Sequence, residues 1–243
     1  MIKKVVVAAA GKGTRMLHLS QDKPKHLIEI NGKPFLYYLL TNLKTAGFSE
    51  IIMVIGYQKK LMEEFLADYK DDFNLTIINQ FELLGDKYGT ACPIECVKDI
   101  IRPGESFISI CGDNLYSVKD LKKFFIADDL NYVSGLVHPE PGKYGVLIKN
   151  GDDYLEKIIE KPTTFVGNVI NTGLYKFTPE VFRCLPLIAK SARDEFEITD
   201  AINLLAKEKK VKIKQIEDYW LDFGKPEDVN TISEFLSNNQ RTL

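Results

Sequence analysis

Short β-branched runs alternate with helical patterns through the first half of the chain, and this alternation constrains the fold more than any other feature. Lys4 to Ala9 reads as a buried strand, and Phe35 to Thr45 as a helix with Pro34 near its first turn and Gly47 just past its end. Ile51 to Ile55 is a second strand and Lys59 to Tyr69 a second helix. Leu75 to Asn79 follows as a strand, Thr90 to Ile101 as a helix and Ser106 to Ile110 as a strand. Strand–helix–strand units pair in parallel through right-handed crossovers, which predicts a doubly wound, mostly parallel, Rossmann-like α/β sheet. The second half is richer in strands. Tyr132 to His138, Tyr144 to Lys149, Tyr154 to Glu160 and Asn168 to Phe177 read as extended, and Asn150-Gly151 signals a two-residue hairpin turn. A helix over Phe196 to Lys207, a strand over Val211 to Ile216 and a closing helix over Pro226 to Leu236 complete the pattern. The expectation is one α/β domain whose second half carries a small antiparallel appendage.

A chain of 243 residues buries close to three-quarters of its unfolded surface, enough for a substantial core. Hydrophobic residues at 45% and charged residues at 27% exclude a disordered or fibrous chain. The near balance of 32 Lys and Arg against 34 Asp and Glu gives no global field for nucleic acid or an anionic membrane. Neither is expected as a partner, and homo-oligomerisation is left open. No apolar run is long enough for a spanning helix, and no signal-peptide pattern opens the chain. Cys92, Cys96, Cys111 and Cys184 therefore read as reduced thiols of a cytoplasmic protein. Cys92 and Cys96 lie one helical turn apart but lack two further ligands at zinc spacing, so they read as core residues.

In a doubly wound sheet, ligands sit at the carboxyl ends of the strands, so the segments just after those ends are the ones to read for chemistry. The first strand runs into Ala9-Ala10-Gly11-Lys12-Gly13-Thr14-Arg15, whose glycines let backbone N–H groups approach a phosphate. A Walker A register is absent, and a dinucleotide fingerprint fails because Met16 stands where a third small residue is needed. What remains is a Gly-rich turn with Arg15, followed ten residues later by Lys25 after Pro24. Lys12, Arg15, Lys23 and Lys25 together can neutralise a triphosphate, with Arg15 offering paired donors; the alternative is a solvated basic loop.

The turn Ala9 to Met16, then Pro24-Lys25-His26-Leu27 and Gly32-Lys33-Pro34, resembles the opening of the sugar-1-phosphate nucleotidylyltransferases. The resemblance continues in family order over about residues 2 to 230. Gln80 and Gly89-Thr90-Ala91 resemble the base-reading segment, and Gly112-Asp113-Asn114 a metal-binding turn. Tyr144-Gly145-Val146, Glu160-Lys161-Pro162 and Asn171-Thr172-Gly173-Leu174-Tyr175 resemble the sugar pocket, and Trp220-Leu221-Asp222-Phe223-Gly224 a second metal segment. The chain departs from the pattern at His18-Leu19-Ser20 and at Gly224-Lys225, positions that bear on loop shape rather than on the proposed ligands.

The resemblance implies an enzyme that joins a nucleoside triphosphate to a sugar 1-phosphate and releases pyrophosphate. Within a single domain, residues 1–115 would mainly bind the nucleotide and 116–230 the sugar phosphate, with 231–243 as a tail. Ala9, Ala10, Gly11, Gly13, Thr14, Arg15, Gln80, Gly89 and Thr90 would hold the nucleotide. Asn114, Tyr144, Gly145, Glu160, Lys161, Asn171 and Thr172 would hold the sugar phosphate. Arg15, Lys25 and Lys161 would be the catalytic cations, and Asp113 and Asp222 would ligate Mg²⁺. Mg²⁺ characteristically takes one or two carboxylates plus phosphate oxygens and waters. Asp113 and Asp222 also fit ordinary turn chemistry, Lys161 a surface lysine and Gln80 a polar residue after a strand. The opening and Ile198-Thr199-Asp200-Ala201-Ile202 resemble bacterial UTP–glucose uridylyltransferases, whereas the short length and Gly112-Asp113-Asn114 resemble thymidylyltransferases. A cytidylyltransferase for an alcohol phosphate and a non-catalytic sugar-nucleotide sensor stay as alternatives. No hexapeptide repeat follows Leu236, so a fused acyltransferase is not expected.

Overall fold

The computed structural model describes residues 2–69 and 72–239. In chain order these form β1 (Lys4–Ala9), β2 (Glu29–Ile30), β3 (Lys33–Pro34), α1 (Phe35–Ala46), β4 (Glu50–Ile55), α2 (Lys59–Asp68), β5 (Leu75–Asn79) and α3 (Gln80–Leu84). Then come α4 (Cys92–Glu95), β6 (Phe107–Cys111), β7 (Asn114–Tyr116), α5 (Val118–Lys122), β8 (Asn131–Val137), β9 (Gly145–Asn150) and β10 (Tyr154–Glu160). β11 (Val169–Phe177), α6 (Val181–Cys184), α7 (Ile198–Lys207), β12 (Val211–Gln215), β13 (Trp220–Asp222) and α8 (Asp228–Asn239) complete the set.

Nine strands share one mixed sheet in the order β5-β4-β1-β6-β11-β8-β12-β10-β9. The first four are parallel, as the strand–helix alternation predicts. The second half, antiparallel except for the parallel β8–β12 pair, is not an appendage. β11 runs antiparallel beside β6 and satisfies the backbone groups its open edge would otherwise present, so both halves form one continuous sheet. Along β1, alternate side chains enter different cores, as the two-residue period of a strand requires. Val5 and Val7 join the cluster that includes Leu36, Leu39, Leu40 and Leu43 of α1, while Val6 joins Ile52, Val54 and the Ala201, Ile202 and Leu205 face of α7.

Several elements differ locally from expectation. The segment expected as a helix to Ile101 is regular only over Cys92–Glu95, because its bonds switch to the i−3 pattern at Val97, Lys98 and Ile100. α7 begins two residues late because Phe196 gives its backbone to Tyr88 and Ala91. The β9–β10 turn is a three-residue Gly151–Asp153 loop, with Asp152 and Asp153 rather than Asn150-Gly151 in the left-handed region. Residues 231–239, expected as tail, continue α8 and bury Ile232 and Leu236 in the core; residues 240–243 lie outside the described residues. Cys92, Cys96 and Cys184 are buried free thiols. No helix among the described residues is long and apolar enough to cross a membrane.

Candidate active site

A cleft of about 460 Å³ opens at the carboxyl ends of β1 and β6 and runs along β9, β10 and β11. The side expected to take the nucleotide is built by the Gly-rich turn. Gly13 takes the left-handed region, and its missing side chain makes room for the stem of Lys25; a Cβ there would lie 3.2 Å from Lys25 Cβ. Ala10, Gly11, Gly13, Thr14, Arg15 and Lys25 all line the cleft. Ala9 does not. It alternates to the opposite face of β1 and is 2% exposed in the core, which corrects its expected nucleotide role.

Asp113 and Asp222 are brought together by a feature the sequence pattern did not reveal. After β6 the chain turns at Gly112-Asp113 into β7, which pairs antiparallel with β13. Asn114 lies opposite Asp222, and Phe223 N–H donates to the Asp113 carbonyl at 2.8 Å. The two carboxylates converge through this ribbon, not by sharing an edge of the main sheet. Lys25 Nζ donates to Asp113 Oδ2. Burial raises the Asp113 carboxyl, but the charge and hydrogen bond of Lys25 outweigh it and leave the group below its usual range. Asp222 goes the other way. Burial first and the Asp113 charge second push it up to about 6, against the opposing charges of Arg15 and Lys25. His26, beside Lys25, is buried and held neutral, its pKa lowered to about 3 by burial and then by the Lys25 charge.

Among the described residues no cluster of three or more His, Cys, Asp or Glu side chains forms a metal site. Two half-buried carboxylates that repel one another supply hard oxygen donors but too few to saturate a cation. That donor set fits Mg²⁺, which takes its remaining ligands from phosphate oxygens and water.

The opposite wall holds the residues expected for the sugar phosphate. Lys161 ends β10 in the left-handed region (φ 43°), with its N–H bonded to the Tyr144 carbonyl, so the chain turns at the cleft's rim. Tyr144, Gly145 and Glu160 line the same wall. A register shift in β11 falls between Asn171 and Tyr175, where Gly173 (φ 80°) passes so close to Cys111 that a Cβ would meet Sγ at 2.7 Å. This bulge sets Asn171 at the cleft, its amide donating to Tyr175 Oη at 2.7 Å. Asn114 and Thr172 also line the cleft, but mainly as structure: Asn114 Nδ2 donates to the Thr172 carbonyl, and the Thr172 hydroxyl bonds Ser134. Thr90 is similarly committed. Its hydroxyl accepts from Ile198 N–H at the start of α7 and donates to Glu197.

Gln80 is 1% exposed. Its Nε2 donates to the Lys87 carbonyl at 3.3 Å, which fixes the amide so that Oε1 is left as a buried acceptor without a partner beside the cleft. Gly89 (φ 135°) lies against the Phe196 backbone, where a Cβ would come within 2.4 Å of the Phe196 nitrogen. Gly89→Ala is therefore expected to destabilise the protein by about 3 kcal/mol or more, because backbone must move on both sides. A chemical-denaturation midpoint measures it; an unchanged midpoint would show that this approach is dispensable.

Arg193 was not legible from the sequence. It sits in the Lys190–Glu197 loop, lines the cleft, and reaches Glu160 at 3.3 Å and Glu197 at 2.8 Å. Trp220, Tyr88 and Cys111 also join the lining. Only the adjoining Ile198-Thr199-Asp200 segment pointed to this region.

A nucleotide-sized cleft with a cationic Gly-rich turn at strand ends and a half-buried carboxylate pair defines a nucleotide-using transferase of the α/β class. The sequence comparison makes this specific: the family description "Nucleotidyl transferase" matches residues 4–239, and the chain belongs to that family. It is 33% identical over 231 residues to the UTP–glucose-1-phosphate uridylyltransferase AglF of Haloferax volcanii, covering 93% of each chain. It is 30% identical to a mannose-1-phosphate guanyltransferase of Neurospora crassa, but spans 62% of that protein's length. The fold superposes on a UDP-glucose pyrophosphorylase solved with UDP-glucose at a TM-score of 0.83, with 23% identity and coverage of 98% and 100% of the two chains.

Proposed function

We propose that the enzyme transfers a nucleoside monophosphate from a nucleoside triphosphate to a sugar 1-phosphate, with UTP and glucose 1-phosphate as the pair. The observation that carries this reading is that Arg15, Lys25, Lys161 and Arg193 line one cleft together with Asp113 and Asp222. Such an arrangement suits two anionic substrates that must meet despite mutual repulsion. Arg15 and Lys25 hold the triphosphate and stabilise the leaving pyrophosphate. Lys161, with Arg193, grips the sugar phosphate so that its oxygen attacks the α-phosphorus in line. Catalysis is then positioning plus charge stabilisation. Mg²⁺ held by Asp113 and Asp222 would neutralise charge on the reacting phosphate. Glu160 and Asn171 present acceptors and donors to sugar hydroxyls.

Gln80 bears on base recognition. Its unpartnered Oε1 demands a donor, which the imide N–H of uracil or thymine offers, as does the 4-amino group of cytosine. The relatives named for guanyl transfer make GTP a necessary competitor, since guanine also carries a ring N–H. Pyrophosphate release from UTP, dTTP, CTP and GTP, each with glucose 1-phosphate and mannose 1-phosphate, tests the proposal. UTP with glucose 1-phosphate is expected to give the highest kcat/KM, and a higher value with any other pair would overturn that choice of substrates. A second result is expected from Lys161→Ala: KM for the sugar 1-phosphate rises about tenfold or more while KM for the triphosphate changes little. Equal effects on both substrates would mark a structural defect instead.

A further inference from the structure

Lys25 is 8% exposed, and its stem is clamped where Gly13 leaves space. Its ammonium bonds Asp113, the residue nearest β6 in the carboxylate pair, and among the described residues it has no other hydrogen-bond acceptor. Asp222 is served less well. Arg15 and Lys25 both lie near it, but neither forms a direct ion pair with it. One carboxylate of the pair is thus already neutralised by a protein cation, and the other is not.

Breaking a buried ion pair by removing one partner leaves an uncompensated charge and is strongly unfavourable. A cation that approached Asp113 alone would have to displace Lys25 and leave its largely buried ammonium unpaired. A triphosphate that approached alone would have to draw Lys25 away and leave Asp113 unpaired. Each loss is made good only when the other ligand arrives. Resting on the reading of Asp113 as a metal ligand, we propose that Lys25 holds the metal's place at Asp113, so that metal and triphosphate enter in a single exchange. Lys25 moves from carboxylate to phosphate as the metal takes the carboxylate. Free metal accordingly binds poorly before the triphosphate arrives. Linkage makes the effect reciprocal: the triphosphate raises metal affinity by the same factor as metal raises triphosphate affinity.

The test uses Mn²⁺ as probe, counted by the electron paramagnetic resonance signal of the free ion, with the whole enzyme and no sugar phosphate, so that no turnover intrudes. Lys25→Met keeps the stem and removes the charge. In the absence of nucleotide, Lys25→Met is expected to bind Mn²⁺ about ten- to a hundredfold more tightly than wild type, from removal of one charge at contact distance. The gain should vanish when Asp113→Asn is added, and the enhancement of Mn²⁺ binding by UTP should shrink in Lys25→Met. Circular dichroism checks the fold, and Lys25→Gln carries the same expectation if Lys25→Met fails to fold. The place-holding role is overturned if both Lys25 variants bind Mn²⁺ no more tightly than wild type while Asp113→Asn still weakens binding. If Asp113→Asn leaves Mn²⁺ affinity unchanged in both backgrounds, the metal reading of Asp113 falls as well.

Discussion

Arg15→Ala is expected to lower kcat/KM by about 10² to 10³, the equivalent of about 3 to 4 kcal/mol of transition-state stabilisation. The side chain is exposed on the Gly-rich turn and lines the cleft, so its removal takes away a charge without opening the core. Its charge also opposes the raised proton affinity of Asp222, which puts it close to the reaction centre. Loss at the transition state, rather than in substrate binding, should appear as equal falls in kcat and kcat/KM. Steady-state kinetics on a variant with wild-type circular dichroism decides the matter. Unchanged turnover would remove Arg15 from the mechanism.

Asp222→Asn should do two opposite things. Activity falls steeply and the Mg²⁺ concentration for half-maximal rate rises, because the carboxylate pair loses one charge. The metal-free protein nevertheless becomes more stable. Asp222 titrates near 6 in the folded protein against an ordinary 3.8, so between these values the folded state binds more protons than the unfolded chain. Stability of the wild type in chelator therefore falls as pH rises from about 4 to 6, and the full penalty persists above 6. The size is on the order of 2 kcal/mol after allowance for partial exposure. In Asp222→Asn that slope disappears, and Tm at pH 7 is expected to rise by about 4–8 °C. Asp113→Asn has no such benefit, because Asp113 is already held ionised by Lys25. For activity, the double Asn variant should lose much less than the sum of the two single losses, as expected of groups acting as one unit. Additive losses, or an Asp222→Asn protein with unaltered Mg²⁺ dependence, would separate the two carboxylates.

The place of the Gly-rich turn at the cleft was legible because its signals are local. A buried apolar run ending in two glycines, with Arg15 and Lys25 close behind, needs no long-range information to be placed at a strand end. Lys161 and Glu160 were legible for the same reason, at a proline-terminated strand end. The β7–β13 ribbon was not. Each of its strands is three residues long, too short to show a period, and the partners are distant in sequence. Yet that ribbon alone explains why Asp113 and Asp222 meet. The placement of β11 beside β6 was hidden likewise, since strand order in the antiparallel half depends on edges that only the folded sheet presents. Ala9 and Thr90 show the converse. Both lie within segments that resemble binding motifs, but alternation along β1 turns Ala9 into the core, and the Thr90 hydroxyl is taken by the start of α7. Arg193 carries no pattern at all; an exposed loop places it, and its pairing with Glu160 and Glu197 is the only sign of its position.

The proposed transfer cleaves between the α- and β-phosphorus of a triphosphate and joins the α-phosphorus to a sugar phosphate. Phosphorus-31 NMR of the enzyme with UTP, glucose 1-phosphate and Mg²⁺ follows every phosphorus atom at once. The expected spectrum loses the triphosphate and sugar monophosphate signals together, and gains a sugar-linked diphosphate and pyrophosphate in equal amounts. Added pyrophosphate should run the reaction backwards. Binding of UTP and glucose 1-phosphate with no change in any phosphorus signal, for this pair and for the other triphosphates and sugar phosphates, would instead make the protein a non-catalytic sensor and contradict the account.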